Sequence, residues 1–302
     1  MRRRFFFTTN PGAGLTGSPL ADAVASALQG AGAQVTRARP ASIEAARAGV
    51  REAVASGSYD AVVACGGDGT IRQVASCLTD TDMPLGIVPS GTANILAHEM
   101  GLPSGAESIR RVLMEGGETD VMCARVNGEP FLLMAGAGFD GRVISALNQR
   151  FKSFVGKAAY AGPVLGALVR PMDVLTVTVD GHPSQATWAV ITNARHYGGR
   201  FVLAPRTGVQ ERGLQAVLFK AKSRAVLIGQ LMSLASGTLD ARCANRDDVE
   251  TVPCAHVTIT SHHPVPAQVD GDGFGSTPLQ IDQGDARLKL IVPADNGAAH
   301  SR

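Results

Sequence analysis

The sequence is short of several features whose absence narrows what it can be. Aromatic residues make up 5% of its 302 residues, with one Trp and three Tyr, and charged residues only 18%. The net charge is +2 and no Lys/Arg face with interleaved aromatics is visible, so nucleic acid is excluded as a partner class. The five cysteines (Cys65, Cys77, Cys123, Cys243 and Cys254) are odd in number and include no CxxC pair. Neither a disulfide framework nor a zinc site is expected, and a reducing cytoplasm is the expected compartment. The longest apolar stretches, Ala158 to Val169 and Ala225 to Ala235, fall short of the roughly 20 residues that a membrane-spanning helix needs. Arg2 to Arg4 followed by Phe5 to Phe7 is too short for a signal-peptide core and reads as a strand.

What is present is an ordinary globular composition, 45% hydrophobic with 35 glycines, over a length that suits two modest domains. Residues 1–118 alternate β-rich runs (Arg4–Thr9, Gln34–Arg37, Ala61–Cys65, Leu85–Val88) with helical patterns, the signature of a parallel sheet covered by helices. Ser18-Pro19 and Ser42 are read as helix starts, Gly30 and Gly32 as stops, and Ser104 with Glu107 as a capping box. Residues 119–287 change to β runs with hairpin turns, Asn127-Gly128 and Asp180-Gly181, the latter joining Val174–Val179 to Thr187–Thr192. That half reads as a mostly antiparallel sheet domain with helical inserts near Arg142–Asn148, Gly156–Arg170 and Ala225–Ala235, and the tail, about 288–302, is expected to return to the first domain.

The chemistry concentrates where strands of the first half end. Asn10-Pro11-Gly12-Ala13-Gly14 follows a strand and opens a helix, which places backbone N–H groups at a positive helix end where a phosphate can bind. It is not a Walker loop, because Ser18 and Pro19 stand where Lys-Ser/Thr is required. A stronger signal is Gly66-Gly67-Asp68-Gly69-Thr70, where three glycines admit close approach of a ligand. Asp68 is suited to hold Mg²⁺, position a hydroxyl or accept its proton, and Thr70 is read as a helix cap. A third loop, Pro89-Ser90-Gly91-Thr92-Ala93-Asn94, again follows a β run. Ligands of open α/β sheets bind at the carboxyl ends of strands, so the three loops can share one nucleotide.

These three loops, in this order and spacing, resemble those of the diacylglycerol/sphingosine kinase catalytic family, especially its bacterial lipid-kinase branch. The resemblance continues through Gly136-Ala137-Gly138-Phe139-Asp140, Tyr197-Gly198-Gly199 and Val269-Asp270-Gly271-Asp272, and so covers most of the chain. It implies an α/β nucleotide-binding domain followed by a β-sandwich lipid-substrate domain, an active site in the cleft between them, and ATP with Mg²⁺ as cofactors. It implies a general base at Asp270 or Asp272, where this chain has Asp in place of the family's usual Glu, or at Asp68 as in sphingosine-kinase-like relatives. It also places Asp140 against the lipid head group.

The sequence departs from the resemblance after Leu203-Ala204-Pro205. Relatives carry Asp-Gly-Leu there as part of a second Mg²⁺ site, whereas this chain reads Glu211-Arg212-Gly213-Leu214. An arginine repels a cation, so only Glu211 is left as a metal candidate. The function expected is phosphoryl transfer to a lipid hydroxyl of diacylglycerol, ceramide or a sphingoid base, by a cytoplasmic enzyme that docks transiently on membranes; a homodimer is an open option. Phe151-Lys152-Ser153-Phe154-Val155-Gly156-Lys157 is a candidate membrane contact. The alternatives are a soluble-substrate kinase of the NAD kinase type, although no Asn-Glu dipeptide is present, and a catalytically silent nucleotide- or lipid-binding protein.

Overall fold

A computed structural model describes residues 1–9, 18–147 and 160–294. The glycine turn with Asn10, Pro11, Gly12 and Gly14, and the Phe151 to Lys157 stretch, lie outside the described residues. The chain divides into two compact units: Met1–Cys123 together with the segment from Ala286 onward, and Ala124–Asp285.

In the first unit β1 (Arg4–Thr9), α1 (Pro19–Gly30), β2 (Gln34–Ala38), α2 (Ile43–Ser56), β3 (Ala61–Gly66), α3 (Asp68–Ala75), β4 (Leu85–Pro89), α4 (Ile95–Glu99) and α5 (Ala106–Glu115) alternate along the chain. β1 pairs in parallel with β2 and β3, and β3 with β4, giving the order β2-β1-β3-β4. Phe5 to Phe7 are all buried, as a strand covered on both faces requires. Phe5 and Phe7 share a core with Val24 and Leu28 of α1 and Ile109 and Leu113 of α5, whereas Phe6 lies beside Gly49 of α2 and meets Tyr59 edge-on at 5.4 Å. Each fully buried Phe contributes roughly 2–3 kcal/mol of hydrophobic stabilisation.

Ser18 and Ser42 cap α1 and α2, accepting from the Ala21 and Ala45 N–H groups. The two other caps read from sequence are corrected. α5 starts at Ala106 with Gly105 as N-cap and no side-chain cap, and Glu107 ion-pairs with Arg110 one turn on. Thr70 lies inside the first turn of α3, buried under Gly66, while Gly67 occupies the N-cap.

β5 (Gly117–Val126) starts in the first unit and ends in the second. The second unit continues with β6 (Glu129–Phe131), β7 (Met134–Gly138), α6 (Phe139–Ala146), α7 (Ala161–Val169), β8 (Leu175–Val179), β9 (His182–Ala186), β10 (Trp188–Thr192), β11 (His196–Tyr197), β12 (Phe201–Val202), β13 (Leu214–Phe219), α8 (Arg224–Ala235), α9 (Leu239–Asn245), β14 (Val249–Cys254), β15 (His256–Ser261), β16 (Pro266–Val269) and β17 (Asp272–Ser276). β18 (Leu279–Val292) begins in this unit, antiparallel to β15, and its Leu290 is in parallel register with Leu85 of β4 in the first.

One sheet of the second unit has β15 between β8 and the start of β18, with β9 outside β8; the other runs β14-β13-β10-β7-β16-β17. Leu175, Val177, Ile259 and Ile281 of the first sheet and Ala135, Ile191, Leu218 and Ala267 of the second share one core, which makes the unit a β-sandwich. Asn127-Gly128 and Asp180-Gly181 both turn with positive φ at each residue, as tight hairpins require. The partner of β8 is nevertheless β9, not the run ending at Thr192. That run is β10, buried throughout, and it belongs to the other sheet.

Candidate functional site

The second and third loops leave neighbouring strand ends of the first unit. Gly66 is in register with Pro89, and Ser90 donates its N–H to the Gly66 carbonyl at 3.0 Å. From there the two loops pack backbone on backbone: a Cβ placed on Gly91 would stand 2.3 Å from the Gly67 Cα. Glycine at position 91 is therefore a requirement of this close approach. The Asp68 carboxylate spans the same gap, accepting from the Ile95 and Leu96 N–H groups of α4 at 3.0 and 3.1 Å.

Asn94, held at φ +48°, clasps its own loop: its Oδ1 accepts from the Gly91 N–H and its Nδ2 donates to the Gly91 carbonyl, both at 2.9 Å. Asp68 and Asn94 thus hold two loops in one shape. Gly67, Gly69, Gly91 and Thr92 are half-exposed along this corner, and no side chain caps the start of α3. Its first N–H groups, lacking intrahelical acceptors and bordered by glycines, suit a phosphate group. Cys65, just before the loop, is buried, and burial pushes its thiol up to about 12, so it is no nucleophile.

In the second unit, Asp270 and Gly271 form the two-residue turn between β16 and β17, with φ +49° and +79°. The Asp270 side chain is buried, and its two oxygens accept the N–H groups of Leu132, Leu133 and Met134 at 2.9–3.0 Å. The carbonyls of that same segment are held as well: Asn193 donates from Nδ2 to Leu132 at 3.0 Å and from its backbone N–H to Leu133 at 2.7 Å. Asp272, the first residue of β17, is half-buried. The two carboxylates read together from sequence are thus unequal, one fastening the turn and the other following it.

Asp140 lies in the first turn of α6 and is buried, 2% exposed. Its Oδ1 accepts from the Gly141 N–H at 2.7 Å and its Oδ2 from Gln268 Nε2 at 3.0 Å. The glycines around it make room: a Cβ on Gly136 would stand 2.8 Å from Oδ2, and one on Gly141 would stand 2.0 Å from the Pro266 carbonyl oxygen. Burial raises the Asp140 carboxyl from its ordinary range to about 6, against the opposing pull of the Gln268 amide and the Gly141 N–H. Trp188 stacks on Phe219 at 3.9 Å, is tilted against Phe139 and meets Tyr197 edge-on.

Glu211 is exposed on a turn closed by its own N–H to the Gly208 carbonyl, next to Arg212, which ion-pairs with Asp285. Among the described residues, no group of three or more His, Cys, Asp or Glu side chains is placed to hold a metal ion. A Mg²⁺ at this kind of site is carried largely by the nucleotide phosphates and water, with one or two protein carboxylates.

Sequence reading missed Gln268, Asn193 and Trp188. The available signal was a polar residue inside a buried run, Gln268 between Ala267 and Val269 and Asn193 at the end of Trp188–Thr192, since a buried amide must find partners.

Comparison with known proteins gives a consistent picture. Residues 4–126 match the diacylglycerol kinase catalytic domain, and residues 134–292 match the YegS C-terminal NAD kinase beta sandwich-like domain. A Klebsiella pneumoniae protein named "Probable lipid kinase YegS-like" is 29% identical over 243 residues, 77% of this chain and 78% of that protein. A Mycobacterium tuberculosis protein named diacylglycerol kinase is 27% identical over 242 residues, 76% of this chain and 75% of its own. With an uncharacterised protein of Synechocystis the match, at 28% identity, takes in 78% of this chain and 55% of the relative. The crystal structure of a diacylglycerol kinase from Bacillus anthracis superposes with a TM-score of 0.72 over 97% of this chain and 98% of its own, at 19% identity, a likeness of fold.

Proposed function

We propose that this chain, which belongs to the diacylglycerol kinase catalytic-domain family, transfers the γ-phosphoryl group of ATP to the hydroxyl of a lipid such as diacylglycerol, ceramide or a sphingoid base. Family membership makes it a phosphotransferase with an alcohol acceptor; the nucleotide, the lipid and the residue roles are inferences from the sites. The observation that carries the reading is the contact of Gly67 with Gly91 beside the uncapped start of α3. Two loops stripped of side chains and fixed by Asp68 and Asn94 offer backbone N–H groups to phosphate oxygens, the arrangement phosphoryl transfer needs for positioning and charge stabilisation. Mg²⁺ bound to those phosphates supplies charge neutralisation.

In the transfer, the bond from the γ-phosphorus to its bridging oxygen breaks, a bond to the acceptor oxygen forms, and ADP leaves. The acceptor hydroxyl loses its proton to a carboxylate. We assign that role to Asp272 rather than Asp270, because the oxygens of Asp270 already accept three backbone N–H groups. Asp68, with both oxygens on α4, holds the nucleotide loops in shape. The acceptor is an amphiphile, so the reaction takes place at a membrane surface. No described helix is long and apolar enough to cross a membrane.

The test is to supply Mg²⁺ and ATP labelled at the γ-phosphate, with diacylglycerol, ceramide, sphingosine and NAD as acceptors in mixed micelles. Wild type, Asp270→Asn and Asp272→Asn are compared. Label in a lipid, with kcat lowered about 100-fold in Asp272→Asn at unchanged thermal stability, is expected. Label in NAD alone overturns the lipid assignment, and full activity in Asp272→Asn overturns the assignment of the base.

A further inference from the structure

We propose that Gln268 is a positioning residue, whose side-chain amide fixes the Asp270–Gly271 turn, and with it Asp272, to the buried carboxylate of Asp140. The role of Asp272 rests on the lipid-kinase reading above; the tie itself does not.

The geometry leaves the amide one orientation. Gln268 is 2% exposed on β16. Its Oε1 accepts the Gly271 N–H at 2.9 Å, and its Nε2 donates to Asp140 Oδ2 at 3.0 Å. The backbone N–H needs an acceptor and the carboxylate needs a donor, so turning the amide over would break both bonds. Gly271 is the central glycine of a two-residue turn, and its N–H points back to the side chain three residues earlier. The turn is thus fastened twice: Asp270 to the Leu132 to Met134 segment, and Gly271 through Gln268 to α6. With both fastenings in place, Asp272 leaves the turn in a single direction.

The tie also makes the turn sensitive to the charge on Asp140. Oδ2 accepts the Gln268 amide and Oδ1 the Gly141 N–H, so a proton added to Oδ2 competes with the Gln268 donor and one added to Oδ1 with Gly141. A displaced Gln268 no longer holds Gly271. The ionisable and polar groups facing Asp140 are few. Trp188 presents its indole N–H at a geometry too poor for a full hydrogen bond. Tyr197, half-exposed as a residue, has its hydroxyl buried and its pKa raised, first by that burial and then by the Asp140 charge. On the elements packed against this corner, Arg142 of α6 is engaged with Asp173 and the Pro171 carbonyl, and β17 carries Asp272. α7, β7, β10 and β16 carry no charged side chain.

The experiment follows the Gly271 amide of the ¹⁵N-labelled full chain by NMR between pH 8 and pH 5, in wild type, Gln268→Met and Asp140→Asn. In wild type the amide is expected to be protected from exchange at pH 8 and to lose protection with a midpoint near the Asp140 value of about 6. In Gln268→Met it is unprotected throughout, and in Asp140→Asn the titration is gone. On the phosphorylated lipid, Gln268→Met is expected to lower kcat about tenfold, the worth of one hydrogen bond of ~1.4 kcal/mol, with KM for ATP unchanged. A Gly271 amide equally protected in wild type and Gln268→Met overturns the tie, and a wild-type amide indifferent to pH across this range overturns its sensitivity to the Asp140 charge. No phosphorylation of any lipid by wild type sinks the lipid-kinase reading instead, and the NMR comparison still decides the tie.

Discussion

The two units each use an aspartate to gather backbone N–H groups, and they do so in opposite surroundings. Asp68 takes two, from Ile95 and Leu96, in a half-exposed corner that Gly67, Gly69 and Gly91 share with Thr92 and Asn94. Asp270 takes three, from Leu132, Leu133 and Met134, inside a buried set of polar side chains that also includes Asp140, Gln268 and Asn193. The first site is made by removing side chains so that backbones approach and the start of α3 is left without a side-chain cap. The second is made by placing side chains so that buried carboxylates, amides and backbone N–H groups find partners, which fixes a turn in one shape. A loop proposed to close around phosphates and a turn proposed to aim a carboxylate call for these different solutions.

The largest difference between them is expected in stability. Asp270→Ala leaves three buried N–H groups without acceptors, each costing ~1–3 kcal/mol, so the second unit is expected to lose on the order of 4 kcal/mol, read as a lower urea midpoint. Asp68→Ala leaves two part-buried N–H groups without acceptors and is expected to cost about 1–2 kcal/mol. Equal losses would mean that burial does not separate the two aspartates.

The same contrast explains what could be read in the sequence. The parallel sheet, the two Ser caps and the positive-φ hairpins were legible because each depends on local chemistry: β runs, a hydroxyl before a helix, Asn-Gly and Asp-Gly pairs. The glycines of the second and third loops were legible as points of close approach for the same reason. What Asp68 and Asp270 bind was not, because their N–H partners lie 27 and about 137 residues away in sequence. The pairing of β8 with β9 rather than β10 was hidden likewise: two successive β runs read as one hairpin partner, and only burial on both faces sends Trp188–Thr192 to the other sheet. The match to the family comes from motif order, which is local information repeated six times.

Next in size is a pH effect confined to the second unit. The Asp140 carboxyl is raised from 3.8 to about 6 when folded, so the folded chain binds a proton more tightly than the unfolded one. Its contribution is full below pH 3.8 and lost as pH rises to about 6. Across that window wild type is expected to lose roughly 2–3 kcal/mol relative to Asp140→Asn, whose residue does not titrate. Thermal unfolding of both proteins at pH 4 and pH 7 measures the difference. The same slope in Asp140→Asn would assign the effect to another group.

The smallest expected effects sharpen the first unit's side of the comparison. If the nucleotide corner depends on absent side chains, two facing glycines need not be equally intolerant. A Cβ on Gly91 meets the Gly67 Cα at 2.3 Å, Asn94 Oδ1 at 2.8 Å and the Gly67 nitrogen at 3.0 Å, two of them backbone atoms that cannot rotate away. Gly91→Ala therefore forces the loops apart, at about 1–2 kcal/mol of stability and an expected tenfold weaker binding of ATP. A Cβ on Gly67 stands 3.1 Å from the Gly91 Cα, a distance that a shift of a few tenths of an ångström relieves. Gly67→Ala is expected to change nucleotide affinity by less than threefold. Titration of ATP into both variants separates the two: equal losses would show that phosphate needs bare backbone at both positions, and no loss in Gly91→Ala would remove this corner as the nucleotide site while leaving the folded unit intact.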